Sequence, residues 1–114
     1  MNKIDLHKPP RRKSEAEIQA MLWMALCERG YNTRLEVPQY EKKCRVGDRS
    51  ARFDLVVYRE NLIPIIIEVK KKKRRTPVEE SEQFKRYSKY NAELIFCVGE
   101  DEISKTLQKV IDLG

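Results

Sequence analysis

Residues 62–70 read Leu-Ile-Pro-Ile-Ile-Ile-Glu-Val-Lys, and this stretch constrains the fold more than any other. Up to Ile67 it is apolar without alternation, as expected of a central strand covered on both faces. It is far too short to cross a bilayer, which takes about 20 apolar residues. A strand buried on both faces needs helices packed on its sheet, so the chain reads as an α/β domain. Glu68 and Lys70 then close the run. Side chains alternate along a strand, so these two share a face while Val69 points into the other layer. Charges at the end of an apolar strand are costly unless they are paired or belong to a site.

The flanking sequence supplies the other layers. Ser14-Glu15-Ala16-Glu17 fits a capping box, and Ile18, Met21, Leu22, Ala25 and Leu26 follow at helical spacing, with Gly30 as the stop. Trp23, Met21 and Met24 are expected in the core rather than on a contact surface. Thr33 to Val37 reads as a strand interrupted at Pro38, and residues 41–46 extend it or form a second piece. Val46-Gly47-Asp48-Arg49 is a turn, Arg52 to Tyr58 a strand, and Arg59-Glu60-Asn61 a short polar turn into the central strand. Thr76-Pro77 with Glu79 opens a helix to Tyr90. Glu93 to Val98 is a short buried strand closed by Gly99. Asp101 to Leu113 is a last helix, striped by Ile103, Leu107, Val110 and Ile111. The expected order is helix, three-strand meander, helix, strand, helix, with a mixed central sheet flanked by helices. Residues 1–13, with Pro9 and Pro10, read as a basic flexible arm, and 14–114 as a single domain.

Charge and composition narrow the chemistry. The net charge is +6, but it is local. The arm holds Lys3, Lys8, Arg11, Arg12 and Lys13 against Asp5, and Lys70, Lys71, Lys72, Lys73, Arg74 and Arg75 run together, leaving the rest of the chain mildly acidic. Two basic stretches on an acidic body suit a polyanion such as nucleic acid; a solvated charge run or an address tag is the plainer alternative. Neither run belongs to an amphipathic helix, so a membrane partner is not expected. No signal-peptide core precedes the first helix, which points to a cytoplasmic protein. Cys27, Cys44 and Cys97 are odd in number and widely spaced, so reduced, mostly buried thiols are expected rather than disulfides or a zinc knuckle. The single histidine, His7, lies in the arm, which argues against Ser-His-Asp hydrolysis and zinc hydrolase chemistry. Catalysis must rest on carboxylates, lysine or a hard metal ion.

One constellation fits that requirement. Asp54 interrupts the apolar run Phe53 to Val57, in a strand setting that disfavours aspartate. A tight hairpin at residues 59–61 sets Asp54 across from the Glu68 region. Two converging carboxylates make a seat for Mg²⁺, with Mn²⁺ as a substitute. Such an ion lowers the pKa of a bound water and neutralises charge building on a phosphate, while Lys70 orients the water or stabilises the transition state.

Asp54, followed fourteen residues later by Glu68-Val69-Lys70, resembles the PD-(D/E)xK nuclease superfamily, with Phe53-Asp54 standing for Pro-Asp. The element order resembles that superfamily's restriction-endonuclease-like core over roughly residues 14–113. Gln83 and Tyr87 resemble the Q-x-x-x-Y pair of RecB-like nucleases and type I restriction motor subunits, while Glu17 resembles the first-helix glutamate of Holliday-junction resolvases. The resemblance implies a Mg²⁺-dependent endonuclease acting on DNA. Asp54 and Glu68 would be metal ligands assisted by the Val69 carbonyl, Lys70 the catalytic lysine and Glu17 a helper carboxylate. Gln83 and Tyr87 would orient the site or touch the DNA backbone, and Lys71, Lys72, Lys73, Arg74 and Arg75 would contact phosphates.

Each signal has a plainer reading. Glu17 is also N3 of a capping box, and Tyr87 would serve as a core aromatic with a wet hydroxyl. On the same fold, an inactive nucleic-acid-binding module and a partner-binding subunit are the rival functions. One site cuts one strand, so cleavage of both strands calls for a homodimer or two visits.

Overall fold

A computed structural model of the chain describes residues 3–4, 6, 9–38, 52–71 and 90–114. Helix α1 spans Glu15–Glu28 and is followed by strands β1 (Asn32–Pro38), β2 (Arg52–Arg59), β3 (Leu62–Lys70) and β4 (Glu93–Val98). A tight 3₁₀ turn, Glu100–Glu102, leads into helix α2 (Ile103–Asp112). The strands form one mixed sheet in the order β1-β2-β3-β4, antiparallel except for the parallel pair β3–β4. The expected helix from Pro77 to Tyr90 and the strand piece at 41–46 lie outside the described residues, save for Tyr90 itself. Among the described residues no helix is long and apolar enough to cross a membrane.

Local signals account for most boundaries. Ser14 caps α1, its Oγ accepting the Glu17 N–H at 3.1 Å while the Glu17 carboxylate accepts the Ser14 N–H at 3.2 Å. Gly30 ends the helix at φ 87°, a conformation that favours glycine. Asn61 takes the left-handed position of the β2–β3 turn at φ 61°, as a short polar side chain can. Arg59 pairs with Leu62 across that turn, and a register shift between Val57 and Arg59 leads into the ladder that places Leu55 opposite Ile67.

The core sits between the two helices and one face of the sheet. Ile18, Leu22 and Leu26 of α1 and Leu107 and Val110 of α2 pack on Leu55, Val57, Ile65, Ile67, Val69, Ile95 and Cys97. Each fully buried aliphatic side chain here contributes about 1.5–3 kcal/mol by leaving water. Burial also pushes the Cys97 thiol pKa upward. On the opposite face Phe53, Val56 and Ile66 pack with Val37, Tyr90, Ala92 and Leu94. Phe53 and Tyr90 meet edge to face at 5.0 Å. β3 is therefore apolar towards both layers, as its sequence requires.

Three expectations are corrected. Met21, Trp23 and Met24 are exposed, Met24 to 56%, because the α1 stripe through Ile18, Leu22 and Leu26 already fills the sheet-facing side. Trp23 instead donates its indole N–H to the Thr33 carbonyl at 2.8 Å, lying over the first strand. Helix α2 begins at Ile103, after the 3₁₀ turn, and buries Thr106 rather than Ile111, which faces solvent near its C-terminal end. Cys27 is exposed, so burial holds for Cys97 of the two thiols described.

Candidate functional site

The β2–β3 ladder runs through Leu55↔Ile67 and there its paired positions end. The next step of that register sets Asp54 opposite Glu68, as the hairpin predicts. At this point a side chain replaces a main-chain partner: the Asp54 carboxylate accepts the Val69 N–H at 2.8 Å. The carboxylate thus lies against the peptide that joins Glu68 to Val69. Asp54 is half-buried, and Glu68 is buried to 4% exposure on the face that also carries Ile66.

An irregularity in β1 accompanies the opening. β1 and β2 align Leu35 with Leu55 and Val37 with Phe53, but the intervening step is missing and Glu36 stands at φ 53°. A non-glycine residue rarely adopts that conformation. Arg52 steadies the kink by donating to the Glu36 carbonyl at 3.1 Å. Across it, Phe53 and Leu55 fall in different clusters although they are two residues apart. A regular strand would put them on one face. β2 therefore twists at Asp54. Nothing in the residue type of Glu36 signals a kink.

Main-chain directions at the end of β3 follow from strand geometry. The N–H and C=O of one strand residue point to the same neighbour, and successive residues alternate. The Val69 N–H faces Asp54, so the Val69 carbonyl faces the same opening. Lys70 turns the other way, its carbonyl accepting the Gly99 N–H at 2.6 Å beyond β4. The Lys71 N–H in turn donates to Glu15 Oε1 at 3.1 Å. The first-helix carboxylate at the end of β3 is thus Glu15.

The expectation for Glu17 meets a different arrangement. One carboxylate oxygen closes the capping box and the other lies 3.9 Å from Lys13 Nζ, with the side chain exposed. The hydrogen bonds with Ser14 hold its pKa below the ordinary carboxylate value. Glu15, three residues before Ile18, shares the sheet-facing side of α1, whereas Glu17 lies about 100° round the helix from Ile18. The structure brings Asp54, the Glu68–Val69 peptide, Lys70 and Glu15 to one end of the sheet. Lys72, Lys73, Arg74, Arg75, Gln83 and Tyr87 lie outside the described residues, and Lys71 is exposed.

The Asp54 carboxylate and the Val69 carbonyl are hard oxygens, and Glu68, the residue before Val69, carries a buried carboxylate. That set matches the preference of Mg²⁺, which keeps several waters and needs few protein ligands. It gives no support to zinc, which favours nitrogen and sulfur. No group of three or more His, Cys, Asp or Glu side chains suited to a metal gathers among the described residues. Water or substrate oxygens would complete the shell of any bound cation.

The family comparison joins this α/β domain to the restriction enzymes. The match is to the type I restriction enzyme R protein N terminus over residues 22–110, and the chain belongs to that family. The matched span contains Asp54, Glu68 and Lys70 and begins after Glu15 and Glu17. Neither the search of curated proteins nor the search of solved structures found a match.

Proposed function

We propose that the chain is a Mg²⁺-dependent nuclease domain of the PD-(D/E)xK type, with a restriction-endonuclease-like core, that hydrolyses phosphodiester bonds of DNA in a restriction system. The observation that carries this reading is the Asp54 carboxylate on the Val69 N–H at the point where β2 and β3 part, with Glu68 and Lys70 on either side of that residue. A structural aspartate could make the same hydrogen bond. It would not explain a buried glutamate beside it and a lysine at the strand end.

Asp54, Glu68 and the Val69 carbonyl would hold the cation. When bound, Mg²⁺ (or Mn²⁺) acidifies a water and offsets charge on the phosphate. The chain's own groups do the remainder. The Val69 N–H fixes one oxygen of Asp54, so the carboxylate is oriented before substrate arrives. Burial limits Glu68 to few rotamers. Lys70 supplies a positive charge to the attacking water or to the phosphorane-like transition state. Lys71, Lys72, Lys73, Arg74 and Arg75 bind phosphates, which makes affinity salt-dependent and largely indifferent to sequence. Gln83 and Tyr87 orient the site or touch the backbone. The partners are DNA and the further subunits of a type I system, and cleavage of both strands takes a homodimer or two visits.

The test is a panel of linear duplex, single-stranded, flap and four-way DNA incubated with Mg²⁺ or Mn²⁺. Wild type is expected to cut at least one of them, and Asp54→Ala and Lys70→Ala to cut none, with Lys70→Ala still binding metal. Unchanged cleavage by Asp54→Ala removes the metal assignment. Binding without cutting, under every condition, favours the inactive module.

A further inference from the structure

One peptide bond at the end of β3 is held from both sides. The carbonyl of Lys70 accepts the Gly99 N–H at 2.6 Å, and the N–H of Lys71 donates to Glu15 Oε1 at 3.1 Å. These are the two polar groups of the same peptide unit. In a trans peptide they point in opposite directions, so α1 and the end of β4 grip a single plane between them. The pairing with β2 has ended at Ile67, and that with β4 ends at Lys70. Among the described residues, the two grips are what hold this plane beyond the ladders.

We propose that Glu15 is a positioning residue that locks the Lys70–Lys71 peptide and thereby holds the Lys70 main chain in register at the end of β3. The inference rests on the reading of Lys70 as the catalytic lysine. Fixing the plane fixes ψ of Lys70 and keeps the end of β3 from fraying back past that residue. With the plane free, the end of β3 frays, and Lys70 loses its registration with Asp54 and Glu68. A glutamate in the first turn of a helix is favoured by the helix dipole alone. That accounts for the charge and not for the aim of its oxygen across to β3.

The role requires an acceptor oxygen and no negative charge. Glutamine therefore replaces Glu15, whereas a metal ligand or charge partner could not be so replaced. The experiment uses the full chain as wild type, Glu15→Ala, Glu15→Gln and Glu17→Ala. It reads amide hydrogen exchange at Lys71 and cleavage of the DNA panel with Mg²⁺. In Glu15→Ala, Lys71 exchange is expected to quicken about tenfold or more as the local opening becomes easier. kcat is expected to fall about 10- to 100-fold, with KM changing little. Glu15→Gln is expected to restore both to within about threefold of wild type, an interval that separates rescue from the losses above. Glu17→Ala breaks the cap and leaves Lys71 exchange near wild type.

A Glu15→Gln variant as slow in cleavage as Glu15→Ala overturns the proposal, because charge is then what matters. So does Lys71 exchange that is unchanged in Glu15→Ala, or equally quickened in Glu17→Ala. If wild type cuts no substrate while the exchange pattern holds, the nuclease reading fails and the clamp stands without it.

Discussion

The two ends of the β2–β3 ladder are built in different ways. At the hairpin end the main chain closes on itself, with Arg59 paired to Leu62 and Asn61 turning the corner. The Arg59 guanidinium then ties that end down, donating to the Ile63 carbonyl at 2.6 and 3.1 Å and to the Leu113 carbonyl at 2.8 Å. At the other end the main chain comes apart, and carboxylates stand in for missing strand partners: Asp54 for Val69 and Glu15 for Lys71. The first end uses a cation on carbonyls, and the second uses anions on N–H groups. An unsatisfied main-chain polar group would be costly at either place, and among the described residues it is the second end that sets carboxylates on main-chain N–H groups. A sheet can thus stay stable while leaving one end unzipped, provided side chains complete its hydrogen bonds.

The sharpest way to break this contrast is to strip each end in turn. Asp54→Ala and Lys70→Ala are expected to lower DNA cleavage at least about a hundredfold, the scale of losing a charged group that stabilises a transition state. Arg59→Ala, at the other end, is expected to leave steady-state cleavage as it was. Between the ends, Ile67→Ala removes a fully buried side chain from the last paired position. It is expected to cost about 3 kcal/mol in urea unfolding, with an unchanged m-value. Arg59→Ala is expected to cost less, about 1–2 kcal/mol by the same measurement, for its charge-assisted bonds to carbonyls.

The smallest effect lies in the α1 cap. Glu17 has its carboxyl held below the ordinary value of 4.5, chiefly by the Ser14 backbone N–H, next by the Ser14 side chain and lastly by the charge of Lys13. A carboxyl with a depressed folded-state pKa contributes stability that is full above the unfolded value and lost as pH falls through the folded one. Wild type is therefore expected to lose slightly more stability than Glu17→Gln between about pH 5 and the lowered pKa of Glu17. Denaturation midpoints across that acid limb check the sign.

How much of this could be read from residues alone differs by element. β3 was legible because Ile65–Ile67 leave no polar face, and the hairpin because Asn61 sits at its tip. Together they predict which residues of β2 and β3 oppose each other, and Asp54 does reach the Glu68–Val69 peptide. The α1 cap was equally legible, since Ser14 and Glu17 carry its chemistry in their spacing. That same cap hid the helix residue that reaches the sheet. Glu15 and Glu17 are alike in type, and only the rotation of the helix about its Ile18–Leu22–Leu26 stripe decides which of them points to β3. Trp23 and Met24 were misplaced for a related reason: α1 is apolar well beyond its buried stripe, so hydrophobicity alone does not mark the inward side. The kink at Glu36 had no signal, because glutamate has no special preference for the positive φ it takes there.

The proposed cation seat is the corner between Asp54 and the Glu68–Val69 peptide. Titrating Mn²⁺ into ¹⁵N-labelled protein and following amide line widths tests it most directly. The amides of Asp54, Leu55, Glu68 and Val69 are expected to broaden first, and the same titration of Asp54→Ala to leave them sharp. Sharp corner amides in the wild type, with broadening at other acidic residues or none at all, would mean that no cation seats there.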